Sequence, residues 1–373
     1  MRVYANFAAT APVRPTVLQA VTDVLSQSFG NPSDPGREGR AARDRLEESR
    51  WTIASLLQAE PGEILFTSGA TESCNLALRG TACSGLITSP IEHPAVLHAA
   101  QSQKRHGLAV TFLPITADGI VRIQGWNTAS FPKTALCSVM TANNELGTIQ
   151  PVREIGALCR QHGVLFHTDA TQAAGRIPLS VKEIGADLLS FSAHKMGGPK
   201  GIGVLYRRRG VPLSPLFLGG AQEQGFRPGT ENVAGAVGMA VAMQEACRQM
   251  EEENRRLSAM GDRLCRSLLT IEGAAVHAWS APRLPGFLSV RFSGVRSARL
   301  VPMLDRMGIT VSAGAACSAG NPRPSHVLRA IGLSEAEALE TLRISLGYTT
   351  TEEDLAFLCQ TLPLAVAQAR ALT

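Results

Sequence analysis

At 373 residues, with 45% hydrophobic, 18% charged and 5% aromatic residues, the chain is composed like an ordinary soluble α/β protein and is long enough for two hydrophobic cores. Its formal charge of +5 comes from scattered Lys and Arg. The one basic run, Arg207-Arg208-Arg209, has no aromatic residues interleaved with it, which argues against a nucleic-acid partner.

That run reads as solvated turn surface, with a docking patch for an acidic partner as the alternative. No apolar stretch suffices for a signal peptide or a membrane span, residues 234–243 being the longest, so a cytoplasmic location without a membrane partner is expected. The eight cysteines, at 74, 83, 137, 159, 247, 265, 317 and 359, include no C-x-x-C pair. Neither a structural metal nor a disulfide framework is indicated, and most of these thiols read as small buried hydrophobes.

In chain order, the first chemically suggestive segment follows the apolar run Ile64-Leu65-Phe66. It is Thr67-Ser68-Gly69-Ala70-Thr71-Glu72-Ser73. A strand running into a helix start offers backbone N–H groups and hydroxyls to a phosphate. An ordinary strand-to-helix turn would account for the Ser and Gly but not for the crowding of hydroxyls. Short apolar runs at 85–88, 109–112, 135–139, 164–166 and 187–191 read as further strands, with helices over 94–103 and 152–161 between them. This alternation predicts a mainly parallel sheet covered by helices, with ligands beyond the carboxyl ends of its strands.

Three residues in this stretch carry chemistry. His93 precedes Pro94 at a helix start, where an imidazole could stack on a flat ring or move protons, or simply cap the helix at the surface. Asp169 ends the run Val164-Leu165-Phe166-His167-Thr168, and by itself reads equally well as an N-cap. Lys195 lies between the run Ser190-Phe191-Ser192 and the turn Gly197-Gly198-Pro199, where backbone can approach a ligand and an amine can be desolvated. A neutral amine forms a Schiff base with an aldehyde cofactor, and a carboxylate facing a pyridinium nitrogen keeps that ring an electron sink.

Residues 232–271 read as one long helix joining two domains, with Glu251/Arg255 and Glu252/Arg256 as i,i+4 pairs. Strands at 286–292, 310–312 and 341–346, with a helix over 295–307, describe a smaller α/β unit. Arg343 alternates as on a half-exposed strand and so reads as solvent-facing, although its guanidinium also suits an amino-acid carboxylate. Cys317 has only small neighbours in 312–320 and reads as a thiol on a loop, in need of local activation to be nucleophilic.

The ordered set Thr67 to Ser73, Glu92-His93-Pro94-Ala95-Val96, Asn143-Asn144-Glu145, His167 to Gln172, Ser192-Ala193-His194-Lys195 and Gly314-Ala315-Ala316-Cys317-Ser318 resembles the cysteine desulfurases of the class V, fold-type I pyridoxal-phosphate family, in the group with the longer catalytic-cysteine loop. The resemblance covers nearly the whole chain. It implies a fold-type I transferase with a large, mainly parallel-sheet domain over 14–249. A smaller α/β domain, formed by 1–13 and 250–373, would carry the cysteine loop.

It further implies that Lys195 bears pyridoxal 5'-phosphate, that Asp169 meets the pyridine nitrogen, that His93 stacks on the ring and acts in catalysis, and that Gln172 meets the phenolic oxygen. Ala70, Thr71, Ser192 and His194 match phosphate positions. Asn144 and Arg343 match positions that hold the substrate carboxylate, Asn144 lying against the cofactor as well. Thr230, in Arg227-Pro228-Gly229-Thr230, matches a residue that reaches the neighbouring subunit's phosphate, which implies a homodimer.

The implied reaction converts L-cysteine to L-alanine and leaves the sulfur on Cys317 as a persulfide, for transfer to an acceptor protein such as an iron–sulfur scaffold or a thiolation protein. Rival readings are a selenocysteine lyase, another class V aminotransferase or lyase, for which Cys317 would be dispensable, and a non-catalytic docking platform, against which the Lys, Asp and Cys set argues. The chain departs from the family at Asn6-Phe7, where Asp-Asn is common, at Gly36, where a His is common, and at Ala315, where a Ser is common.

Overall fold

The computed structural model describes residues 1–124, 126, 134–313 and 323–372. A two-residue strand, β1 (Val3–Tyr4), is followed by helices α1 (Pro15–Gln27) and α2 (Arg37–Leu57). The central sheet then alternates with helices, beginning with β2 (Ile64–Thr67), α3 (Ala70–Gly80), β3 (Gly85–Thr88), α4 (Pro94–Arg105), β4 (Ala109–Phe112) and β5 (Ala135–Ser138). It continues through α5 (Val152–Gln161), β6 (Leu165–Asp169), α6 (Val181–Ile184), β7 (Leu188–Ser192) and β8 (Gly203–Arg207).

The strand order is β2-β8-β7-β6-β5-β3-β4. Strands β3 to β7 pair in parallel, whereas β8 runs antiparallel to both of its neighbours. The expected mainly parallel sheet is therefore present. Strands β2, β3, β5 and β7 are buried throughout, as apolar runs covered by helices on both faces must be, and only the edge strand β4 is open to solvent.

The long helix is a single element, α7 (Val233–Leu269), of 37 residues. Its first half, with Met239 and Met243, packs in the sheet's core, and its second half, with Leu257, Met260 and Leu264, packs in another. Beyond it lie β9 (Ala274–His277), β10 (Phe287–Phe292), α8 (Ser297–Arg306), β11 (Ile309–Thr310), α9 (His326–Ala330), α10 (Glu335–Leu339), β12 (Thr341–Ser345) and α11 (Glu352–Ala371). β12, β10 and β9 form an antiparallel sheet, and β1 pairs in parallel with β11, so Val3 and Ala5 join the second core across the length of the chain.

Three local expectations need correction. Arg255 pairs with Glu251 at 3.5 Å, but Arg256 turns to Glu253 at 2.8 Å rather than to Glu252. There it also reaches the carbonyls of Gly347 and Tyr348, a set of acceptors that a solvent-facing carboxylate cannot offer. β12 is buried along its whole length, and Arg343 is 5% exposed, because β10 and the amino-terminal segment enclose it. Within the basic run, Arg208 and Arg209 are exposed, but Arg207 is half-buried over the Phe226 ring, 4.3 Å from its centroid.

One buried ion pair ties the sheet to the loop before α7. Glu223 receives both Nη atoms of Arg50 at 2.8 Å and the N–H of Phe66 at 2.8 Å, so it braces the strand that leads into the hydroxyl-rich turn. Glu223→Ala leaves the buried Arg50 guanidinium with only the half-exposed Glu47, 3.2 Å from its Nε, as an acid partner and is expected to cost up to about 3–5 kcal/mol, read as a lowered midpoint in denaturant unfolding. An unchanged midpoint would contradict the bracing role.

Candidate functional site

A cavity of about 700 Å³ opens beyond the carboxyl ends of β2, β6 and β7. Topology places it there: a strand of this sheet delivers its last residue to the same rim, and the following turn supplies the polar groups. Asp169 ends β6 and Ser192 ends β7, while Ser68 to Thr71 follow β2.

At one end is the start of α3. Gly69, its N-cap, has φ 155° and ψ 174°, a conformation essentially reserved for glycine, and a side chain on Gly203 of β8 would meet the Gly69 backbone at 2.6 Å. Two glycines thus let the turn lie flat against the sheet. The free N–H groups of the first helical turn and the Thr71 hydroxyl are there for an anion. Glu72, also on the cavity wall, is committed to other bonds, accepting from Ser68 N at 2.8 Å and Arg227 Nε at 3.0 Å, which hold its carboxyl below the usual range although burial opposes them. His194 reaches Thr10 Oγ1 through Nδ1 at 3.1 Å. Burial, with help from Lys195 and Lys200, lowers it to about 4, so it is a neutral imidazole at physiological pH.

Lys195 follows in the same turn. Its Nζ donates to the carbonyls of Ala8 and Ala9, each at 2.7 Å. Burial pulls its amine down to about 7, Arg343 and Arg176 add to the effect, and Asp169 opposes it. Asp169 is itself oriented by Thr171, whose backbone N–H donates to Oδ1 at 2.9 Å and whose hydroxyl donates to the same oxygen. Gln172 gives an amide N–H to Ala8 O at 2.9 Å.

The opposite wall is built on α4 and the segment after β5. His93 caps α4, its Nδ1 accepting from Ala95 N at 3.1 Å, which leaves the neutral ring protonated on Nε2. The ring opens onto the cavity, yet surrounding protein lowers its proton affinity, Lys195, His326 and His98 adding to this against Asp169. Below it, Glu92 is fully buried, takes Met140 N at 3.1 Å on both oxygens and Ser89 Oγ at 2.5 Å, and is raised by burial to about 8. Asn143 closes the next turn, accepting from Glu145 N and Leu146 N and donating to Ile91 O, and thereby presents Asn144 to the cavity.

Arg343 enters from β12. Nη1 donates to Asn144 O and Nη2 to Asn6 Oδ1, both at 2.8 Å.

The structure thus brings Ala70, Thr71, His93, Asn144, Asp169, Gln172, Ser192, His194, Lys195 and Arg343 to one cavity. Thr230 is exposed and does not line it. Cys317, like Ala315, lies outside the described residues. Several contributors had no signal of their own in the sequence: the carbonyls of Ala8 and Ala9, Arg176, and the cluster in which Ser325 Oγ donates to Glu145 Oε2 at 2.5 Å beside His326.

The donor set suits pyridoxal phosphate. A helix start with hydroxyls would meet the phosphate, a carboxylate the pyridine nitrogen, and an amine of lowered proton affinity the aldehyde. Moreover, among the described residues, three buried polar atoms on cavity residues have no partner: Ser192 Oγ, Gln172 Oε1 and Arg343 Nε. Buried polar groups are ordinarily bonded, so orphans gathered at one site point to a polar ligand.

Comparison with known proteins agrees with this chemistry. Residues 3–358 match the family model for class V aminotransferases. The chain is 40% identical over 378 residues to the cysteine desulfurase IscS of Dictyoglomus turgidum, covering 100% of this chain and 96% of that protein. A solved NifS-like protein superposes with a TM-score of 0.92 at 36% identity, covering 99% of this chain and 100% of that one. SspA, solved in complex with cysteine, superposes with a TM-score of 0.82 at 36% identity, covering 93% and 99%.

Since only the neutral amine adds to an aldehyde, capture of pyridoxal 5'-phosphate by cofactor-free protein should rise with pH and level off above about 7. Arg176→Gln removes a positive neighbour and should move this profile to higher pH. Stopped-flow absorbance measures both, and a rate still climbing toward the ordinary lysine value of 10.5 would contradict the electrostatics.

Proposed function

The chain belongs to the class V aminotransferase family, and from that premise we propose that it is a pyridoxal-phosphate-dependent cysteine desulfurase, converting L-cysteine to L-alanine with transfer of sulfur to its own Cys317. The observation that carries the reading is Lys195, a lysine held at about 7 in one cavity with Asp169 and Arg343. The cofactor, when bound, supplies an electron sink for the bonds at the substrate's α-carbon.

Lys195 is the residue to which the cofactor attaches and, once released, the base that moves the α-proton, a role that an amine near 7 performs at physiological pH. Asp169, fixed by Thr171, keeps the pyridine nitrogen protonated. His93, whose capping bond commits Nδ1, would stack its ring on the cofactor and keep Nε2 for protons in transit. Gln172 meets the phenolic oxygen, and Ala70, Thr71, Ser192 and His194 hold the phosphate. Arg343, with Asn144, receives the substrate carboxylate.

Sulfur transfer breaks the substrate carbon–sulfur bond and forms a sulfur–sulfur bond at Cys317. The carbon takes a proton to become the methyl group of alanine. The persulfide then passes to an acceptor protein, an iron–sulfur scaffold or a thiolation protein.

We further propose a homodimer in which Thr230 serves the partner's phosphate site. Its exposure outside its own cavity supports this, as do exposed apolar side chains on α1, α2 and the loop before α7, Leu218 at 95% among them. Thr230→Ala should then weaken retention of the cofactor about tenfold, measured by absorbance after dialysis. Full retention would contradict it.

Cys317→Ala should abolish sulfide release from cysteine in the presence of a thiol reductant while the absorbance of the bound cofactor is kept. Undiminished sulfide from that variant would sink the desulfurase reading in favour of a lyase that has no need of this thiol.

A further inference from the structure

The turn that joins β7 to β8 is pinned against the cavity. Ala193 N donates to Ile202 O at 3.2 Å and Gly198 N to Ala193 O at 3.0 Å, and a side chain on Gly198 would meet Ala193 Cβ at 2.7 Å. Between these ties the backbone carries Lys200 to the cavity, at the end where Ser68 to Thr71, Ser192 and His194 form the wall. Lys200 is exposed there and forms no ion pair among the described residues.

The other groups at this end bring no unpaired positive charge. His194 is neutral, lowered to about 4 by burial, with Lys195 and Lys200 adding to the effect, so Lys200 lies close enough for its field to be felt there. Arg227 is committed to Glu72 at 3.0 Å. Ser68, Thr71 and Ser192 are neutral donors, and the first turn of α3 offers only the positive end of its dipole. A phosphate monoester carries a charge of about −1.5 to −2 near neutral pH, more than such donors balance.

We propose that Lys200 is a further phosphate-binding residue of the cofactor site: its ammonium supplies the charge that the neutral donors lack and makes the cavity select a phosphorylated aldehyde over the same aldehyde without phosphate. The proposal rests on the reading of the cavity as a pyridoxal-phosphate site. A lysine suits this position because its flexible stem lets a point charge follow the phosphate inward, and its field draws the anion toward the cavity before the aldehyde meets Lys195. The charges that shift Lys195 are those of Arg343, Arg176 and Asp169, so the two lysines act on opposite ends of one ligand.

Two aldehydes separate these ends when titrated into the cofactor-free full-length protein, with the absorbance of the Schiff base as the readout. Pyridoxal 5'-phosphate engages both lysines, and pyridoxal engages Lys195 alone. Lys200→Met is expected to raise the Kd of pyridoxal 5'-phosphate about fivefold and that of pyridoxal by less than about twofold. Lys200→Arg, which keeps the charge, should hold both values within about twofold of the native protein.

Equal weakening of both aldehydes by Lys200→Met would make Lys200 a prop for the turn and overturn the inference. Undiminished affinity of that variant for pyridoxal 5'-phosphate would overturn it too, while leaving the cofactor reading intact, since the Schiff base still forms. Loss of the preference in Lys200→Arg as large as in Lys200→Met would rule out charge as the cause. No Schiff base with either aldehyde in the native protein would remove the cofactor reading and the inference together.

Discussion

Four consecutive residues near the amino terminus collect the side chains from which the site is made. Arg343 donates to Asn6 Oδ1, Arg176 to Phe7 O, Gln172 to Ala8 O, and Lys195 to Ala8 O and Ala9 O. The segment is laced in turn to β12, through Phe7 N to Ser345 O, Ala8 N to Ser345 Oγ and Ser345 N to Ala5 O. Gly347 allows this, since any side chain there would meet the Phe7 ring at 2.1 Å. Lysine from one core and arginine from the other are thereby held in one register by backbone acceptors, which cost little conformational entropy to present.

That arrangement also shapes the field. Two arginines lie near Lys195, and neither forms an ion pair with an acid of the described residues. Their charge favours the neutral amine and draws anionic groups in. Arg176, enclosed over the Phe287 ring and pulled by burial to about 10, acts from behind the lysine, while Arg343 acts from the cavity side. Glu92, raised by burial to about 8, is mainly protonated at neutral pH and adds little competing negative charge.

Much of this was legible in the sequence because it is carried by local pattern. Apolar runs ending in Asp169 and Ser192 marked the carboxyl ends of β6 and β7, and the hydroxyl-rich stretch after Phe66 marked the start of α3. His167 shows the limit of such reading: it sits in the same motif as Asp169, yet it is a buried neutral imidazole between Ser138 and Ser190, lowered to about 4. The alternation around Arg343 suggested an exposed edge because nothing local reveals that residues some 340 positions earlier cover it. Backbone carbonyls such as those of Ala8 and Ala9 leave no trace in residue type. Likewise, the link from Glu145 to Ser325 joins positions far apart in the chain, and only the fold brings them together.

The proposed role of Lys195 in converting cysteine to alanine is tested most directly by product analysis after incubating the cofactor-loaded protein with L-cysteine, with Lys195→Ala as the control. Alanine is expected from the native protein, in step with sulfur released to a reductant, and none above background from the variant. Pyruvate and ammonia in place of alanine, or alanine at the level of the Lys195→Ala control, would contradict it.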